Sequence, residues 1–251
     1  MVEECEQKVR KAEEHLRKVT DTVAGQEFLE KAADTMKEAG DCYRQHGAFE
    51  KAIEAYSRAL EMHLKLGYDI SAAKDYEDMA FCYEKMGKSG EFKRLAYNAA
   101  KIYVERGRKL EEMGNLGSAA LSYVNAATIY KKIGEREQYM EKLALAAENF
   151  KQYGEIWCDE EDYDYGVMNL SWAVICRMAL GEIEVAKELI NMIVSLCEEK
   201  KVEEESRKFI DATRRFVYGE LKAKEFIKII SSELDEAEEK VIREMLYERE
   251  E

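Results

Sequence analysis

The chain has 251 residues, a net charge of −14, 37% charged residues and no proline. So acidic a molecule would repel a phosphate backbone, which argues against nucleic acid as the main partner. Its most apolar stretch, Ser171 to Leu180, contains Arg177, so no transmembrane span is expected.

Ala, Glu, Lys, Leu and Met dominate, a mix that favours helix nearly everywhere. Glu3 to Thr20 carries Val9, Ala12, Leu16 and Val19 at helical spacing and reads as a capping helix. A short loop follows, with Gly25 as a breaker. Phe28 to Gln45 and Phe49 to Leu66 form a first hairpin around Gly47. Ile70 to Met86 and Phe92 to Glu105 form a second around Gly87 to Gly90. Arg106 to Asn115 departs from the rhythm. Leu116 to Ile133 and Gln138 to Tyr153 make a third hairpin around Gly134. Tyr163 to Leu180 and Val185 to Glu199 make a fourth, degraded one around Gly181. Lys201 to Lys222 and Glu225 to Tyr247 close the array as a charged cap. One domain over 1–251 is expected: a capping helix over 1–20, hairpins over 26–200 and an acidic C-terminal cap over 201–251. Met1 to Cys5 is acidic, with no apolar signal segment, so the expected setting is soluble and cytoplasmic.

The hairpins share landmarks. Gly47–Ala59–Gly67, Gly87–Ala99–Gly107 and Gly134–Ala146–Gly154 repeat one internal spacing, with Tyr43, Tyr83 and Tyr130 four residues before each first glycine. Small residues (Gly40, Ala80, Ala127) precede the tyrosines by three. On one helical face, small residues let two helices approach while a large side chain fills the gap. The last glycine of each triplet is expected to stop a helix. These features predict an all-α fold, a TPR-like α-solenoid of antiparallel helical hairpins in a right-handed superhelix with a C-terminal helical cap.

Catalytic signatures are lacking. There is no Gly-rich phosphate loop and no H-E-x-x-H motif, and the three histidines are His15, His46 and His63. His63 takes a repeat position filled elsewhere by Tyr103 and Phe150, which points to packing or groove lining. The acids Asp159 to Asp164 lack the alternation and glycine turn of a calcium loop and suit a helix N-terminus. Cys5, Cys42, Cys82, Cys158, Cys176 and Cys197 are widely spread and read as buried thiols. Cys42 and His46, four apart, would make half a metal site, with no second ligand pair in view. The expectation is a non-enzyme with no cofactor and no metal.

Gly40, Tyr43, Ala52, Tyr56 and Ala59 sit in the register of a tetratricopeptide repeat, and the run Gly47 to Tyr56 resembles its turn and second helix. The period is longer, 40 and then 47 residues between first glycines, and glycine replaces the repeat's terminal proline. Such long repeats resemble the soluble NSF attachment proteins. The resemblance extends to Ala55 to Leu66 with its His-Leu-x-Leu turn, to Ala99 to Arg108, to Ala179 to Leu189, and to Glu204 to Tyr218. A charged helix containing Leu234 and Asp235 then leads to an acidic tail. The chain is shorter than the family by about one hairpin. The segment matching the family's Phe-rich membrane loop, Thr20 to Glu27, offers only Val23 and Ala24. Leu121 stands where the family carries a basic residue facing SNARE bundles, and Leu246 lies too far from the end to match the family's penultimate leucine.

The resemblance implies a non-enzymatic adaptor that links a helical client to a AAA-type ATPase. Glu233 to Glu251 holds nine acids against three bases. Asp235, Glu236, Glu238, Glu239, Glu248, Glu250 and Glu251 would dock a basic partner, or would serve as a solvated end of the array. Lys93, Arg94, Lys101, Arg106, Arg108, Lys109, Lys131 and Lys132 would form a basic face for acidic helices, or would be ordinary solvent-facing positions. The alternative function is a generic tetratricopeptide scaffold that binds a peptide or protein without an ATPase.

Overall fold

The computed structural model describes residues 2–247. Among them it forms twelve helices and no strand: α1 (Val2–Leu16), α2 (Val23–Gln45), α3 (Phe49–Leu66), α4 (Asp69–Lys85), α5 (Ser89–Glu112), α6 (Leu116–Ile133), α7 (Arg136–Asp159), α8 (Tyr163–Ala179), α9 (Ile183–Glu199), α10 (Glu204–Val217), α11 (Ala223–Ile230) and α12 (Glu236–Leu246). A 3-10 turn, Ser231–Glu233, links the last two. The all-α array of helical hairpins is what the chain forms. No helix among the described residues is long and apolar enough to cross a membrane. The chain divides into two compact units, Met1–Tyr103 and Val104–Glu251.

In the first unit α1 packs on α2, α2 on α3 and α3 on α4. The buried faces are built from small residues: Ala32, Ala33 and Ala39 on α2, Ala52 and Ala59 on α3, Ala72, Ala73 and Ala80 on α4. An alanine buries little area, so this stack depends on close backbone approach and the dispersion contacts that approach permits. Gly40 shows how close it is. A Cβ there would lie 2.6 Å from the Tyr56 ring, so the ring occupies the space a side chain would need. The turn at Gly47 has φ +71°, and the turns at Gly87 and Gly134 repeat that left-handed conformation, which costs glycine little.

The second unit has a heavier core. α6, α7 and α8 pack in sequence, α10 lies against both α8 and α9, and α12 returns to α6 and α8. Leu143, Leu170, Ile175, Ile190, Ile193 and Phe209 are almost wholly buried. Phe150 stacks on Trp172 with ring centroids 5.5 Å apart, and Phe216 on Phe226 at 4.6 Å.

Three expectations need correction. Gly25 is inside α2 and does not break it. The Thr22 hydroxyl caps that helix by accepting from the Gly25 N–H, while the Thr20 carbonyl fills the space of a Gly25 Cβ. Of the three expected stops, only Gly67 ends a helix, at φ +73°. Gly107 and Gly154 lie inside α5 and α7. Their missing side chains admit the Tyr123 ring and the α8 backbone, respectively. Finally, Cys5 and Cys42 are joined by a disulfide between α1 and α2, with Cα atoms 5.5 Å apart. Cys82, Cys158, Cys176 and Cys197 are free, and burial raises the Cys82 pKa to about 11 and that of Cys176 to about 12.

Candidate protein-interaction surfaces

The acidic candidates Asp235, Glu236, Glu238 and Glu239 all lie at the start of α12, while Glu248, Glu250 and Glu251 lie outside the described residues. Asp235 and Glu238 bind each other's backbone: the Asp235 carboxylate accepts from the Glu238 N–H at 2.8 Å, and the Glu238 carboxylate from the Asp235 N–H at 3.0 Å. This reciprocal cap satisfies two amides that the helix itself leaves unbonded. Burial pushes the Glu238 carboxyl above its usual pKa. Glu239 pairs with Arg243 one turn on, at 2.5 Å. Asp235 and Glu236 are exposed. The positive end of the helix dipole favours all four charges.

The other end of α12 is held from a distant point in the sequence. The Lys131 ammonium, in the last turn of α6, donates to the carbonyls of Glu244 (3.2 Å), Met245 (2.8 Å) and Tyr247 (2.8 Å). It thereby satisfies carbonyls at the helix C-terminus and places a cation at the negative end of the dipole. Beside it opens a cleft of about 680 Å³, lined by Tyr139, Met140, Met178, Phe216, Met245 and Leu246 among others. The Tyr139 hydroxyl donates to the Ala179 carbonyl at 3.2 Å, and burial lifts its pKa to about 12.

The basic candidates are placed unevenly. In the first unit, Lys93, Arg94 and Lys101 are exposed on α5, and Arg94 and Lys101, seven residues apart, share one helical stripe. In the second unit, Arg108, Lys109 and Lys132 are exposed and Arg106 and Lys131 are half-buried. The Arg106 guanidinium donates to the Ser122 hydroxyl, and Arg108 pairs with Glu105 at 3.0 Å. Arg106, Arg108 and Lys131 therefore have partners within their own unit. Leu121 is 38% exposed on α6, and Val23, the first residue of α2, is 77% exposed.

Sequence reasoning missed a buried polar network in the first unit. Asp75 is fully buried and accepts from His63 Nδ1 at 2.5 Å and Lys37 Nζ at 3.4 Å. His63 Nε2 faces Asp34 at 3.8 Å. Lys37 also donates to Asp78, as does Arg44, which reaches on to Asp41. The Tyr56 hydroxyl donates to Asp41 at 2.7 Å. Burial opposes the Lys37 charge, but Asp78 and Asp75 outweigh it and raise its pKa. Burial first, then the bond to Asp41, pushes the Tyr56 hydroxyl well above its usual value. His63 is thus a buried structural partner. The missed signal was Asp75 itself, a carboxylate on the stripe that carries Ala72 and Met79.

A family model described as soluble NSF attachment protein, SNAP, matches residues 3–161. The match covers α1 to α7 and stops just before α8. No curated relative matches by sequence. Among solved structures, the chain is similar to the one described as the crystal structure of the yeast Tom70, with 15% identity and a TM-score of 0.31. That likeness covers 97% of this chain and 58% of that one, so the chain spans a little over half of Tom70's length.

Proposed function

We propose, since the chain belongs to the soluble NSF attachment protein family, that it is a non-enzymatic, cytoplasmic adaptor linking a helical client to a AAA-type ATPase. The acid-rich first turn of α12 carries this reading. It presents Asp235 and Glu236 to solvent beside the capping pair, on a helix whose far end Lys131 fixes. A charged surface on a seated helix would speed encounter with a basic partner and make it sensitive to salt. On the client side, the exposed Lys93, Arg94 and Lys101 would meet acidic helices.

The test is direct binding to a purified AAA ATPase of the NSF type. The variant Glu236→Gln/Glu248→Gln/Glu250→Gln/Glu251→Gln spares the capping pair. It should bind at least tenfold more weakly, and wild-type binding should fall as salt rises. Unchanged binding by this variant would sink the ATPase reading.

A second reading, a tetratricopeptide scaffold with no ATPase, is favoured by a different observation. Asp235, Glu238 and Glu239 already use their carboxylates within α12, which leaves less charge to offer. In that case charge reversal at Lys93, Arg94 and Lys101 should weaken client binding while the α12 variant leaves it intact.

A further inference from the structure

The disulfide has a neighbour that a simple staple does not need. His46 caps the C-terminus of α2, one turn beyond Cys42. Its Nδ1 lies 2.8 Å from the Cys42 carbonyl and 3.9 Å from the Cys5 sulfur. One donor atom each from Cys5, Cys42 and His46 falls within 4.8 Å of the other two. Two sulfurs and an imidazole nitrogen thus converge on one point, drawn from two helices.

We propose that Cys5, Cys42 and His46, once the disulfide is reduced, form a binding site for a soft divalent cation of the Zn²⁺ class. Thiolates select such ions over Mg²⁺ and Ca²⁺, which prefer oxygen. In a tetrahedral site with Zn–S near 2.3 Å, two thiolates stand about 3.8 Å apart. The donor atoms lie within 4.8 Å of one another. A disulfide holds its sulfurs about 2.05 Å apart, so reduction must let them separate by roughly 1.8 Å to admit the ion.

The surroundings fit the same ligand set. Cys42 and His46 are four apart on one face of α2, the spacing at which two helical side chains can hold one ion. The ring nitrogen that faces the sulfurs is Nδ1, which in the disulfide form bonds the Cys42 carbonyl. Binding a cation through Nδ1 exchanges that bond for the metal and leaves the ring proton on Nε2. Cys5 is fully buried and Cys42 nearly so, while His46 is exposed. The sulfurs are therefore shielded, and the imidazole forms the rim through which an ion arrives. Three protein donors leave the fourth position to water.

The chemistry balances. A thiol reductant of the glutathione type supplies two electrons and two protons, breaks the Cys5–Cys42 bond and leaves as its own disulfide. Binding Zn²⁺ then releases the two thiol protons. Disulfide and metal exclude each other, and either one ties α1 to the last turn of α2.

The experiment is a Co²⁺ titration of the full chain reduced with a phosphine, followed by Zn²⁺. The expected result is one equivalent of Co²⁺ with a thiolate-to-cobalt charge-transfer band and tetrahedral d–d bands, bleached by Zn²⁺. Cys5→Ser and Cys42→Ser should each abolish the band, the unreduced chain should show none, and His46→Ala should bind at least tenfold more weakly. If a serine variant loses its helicity by circular dichroism, the exposed His46→Ala position decides. No band in the reduced chain overturns the proposal. So does a band that survives both serine variants, which would come from other thiols, or one unaltered by His46→Ala.

Discussion

Full burial of the Asp75 carboxylate carries a desolvation cost that only its proton-donating neighbours, His63 and Lys37, offset. Removing Asp75 takes the acceptor from the buried His63 Nδ1, while Lys37 keeps its bond to Asp78, a loss of about 1–3 kcal/mol. Asp75→Ala should therefore lower the urea midpoint by far more than the exposed control Glu50→Ala. Lys37 and Tyr56 set an alkaline limit. Both have folded-state pKa values above their ordinary ones, so above about pH 10 the folded chain holds protons that the unfolded chain has released. Their contribution is present below that pH and is lost as pH rises toward the folded values. Stability should fall steeply above about pH 10, and Tyr56→Phe should flatten that slope. Equal slopes in the two proteins would remove Tyr56 from the account.

Two glycines of α5 look alike in the sequence and behave oppositely. A Cβ at Gly90 would meet open space, whereas one at Gly107 would lie 2.8 Å from the Tyr123 ring. That ring cannot easily retreat, because its hydroxyl donates to Glu111 at 2.8 Å and Glu111 also accepts from Asn149. Gly90→Ala should stabilise by about 0.5 kcal/mol through reduced backbone freedom. Gly107→Ala should destabilise by about 1–3 kcal/mol through overpacking. Thermal melts of the two variants are the check, and shifts of the same sign would refute this packing account. The same logic governs α12. Lys131→Met keeps the aliphatic stem and removes the donor to three carbonyls, so amide exchange across 236–246 should quicken while α1 to α4 stay unaffected. Elsewhere the helix rhythm was readable from spacing, and each hairpin lies where Gly47, Gly87 and Gly134 put it. Spacing could not tell a helix-stopping glycine from a packing one, since a left-handed turn and a close helix approach both need a missing Cβ. That ambiguity produced the errors at Gly107 and Gly154.

At the scale of the molecule, a net charge of −14 repels itself. Raising the ionic strength from ~0.02 to ~0.5 M should screen that repulsion and lift the melting temperature by several degrees; a fall would mean that the ion pairs outweigh it. Non-local relations decide what the sequence left hidden. Lys131 meets a carbonyl 116 residues away, and Cys5 meets a partner 37 residues away. No local pattern encodes such pairings, so Lys131 read as part of a basic face and the cysteines as isolated thiols. Locally written features, such as the acids gathered at the start of α12, were legible. The aromatic residues add a practical asymmetry. The chain's two tryptophans, Trp157 and Trp172, both belong to the second unit, the latter stacked on Phe150. Intrinsic fluorescence is therefore a one-sided reporter: denaturation of α6 to α12 will change the emission, while closing or opening the Cys5–Cys42 clasp will be dark to it and must be followed by mass or by a label on α1.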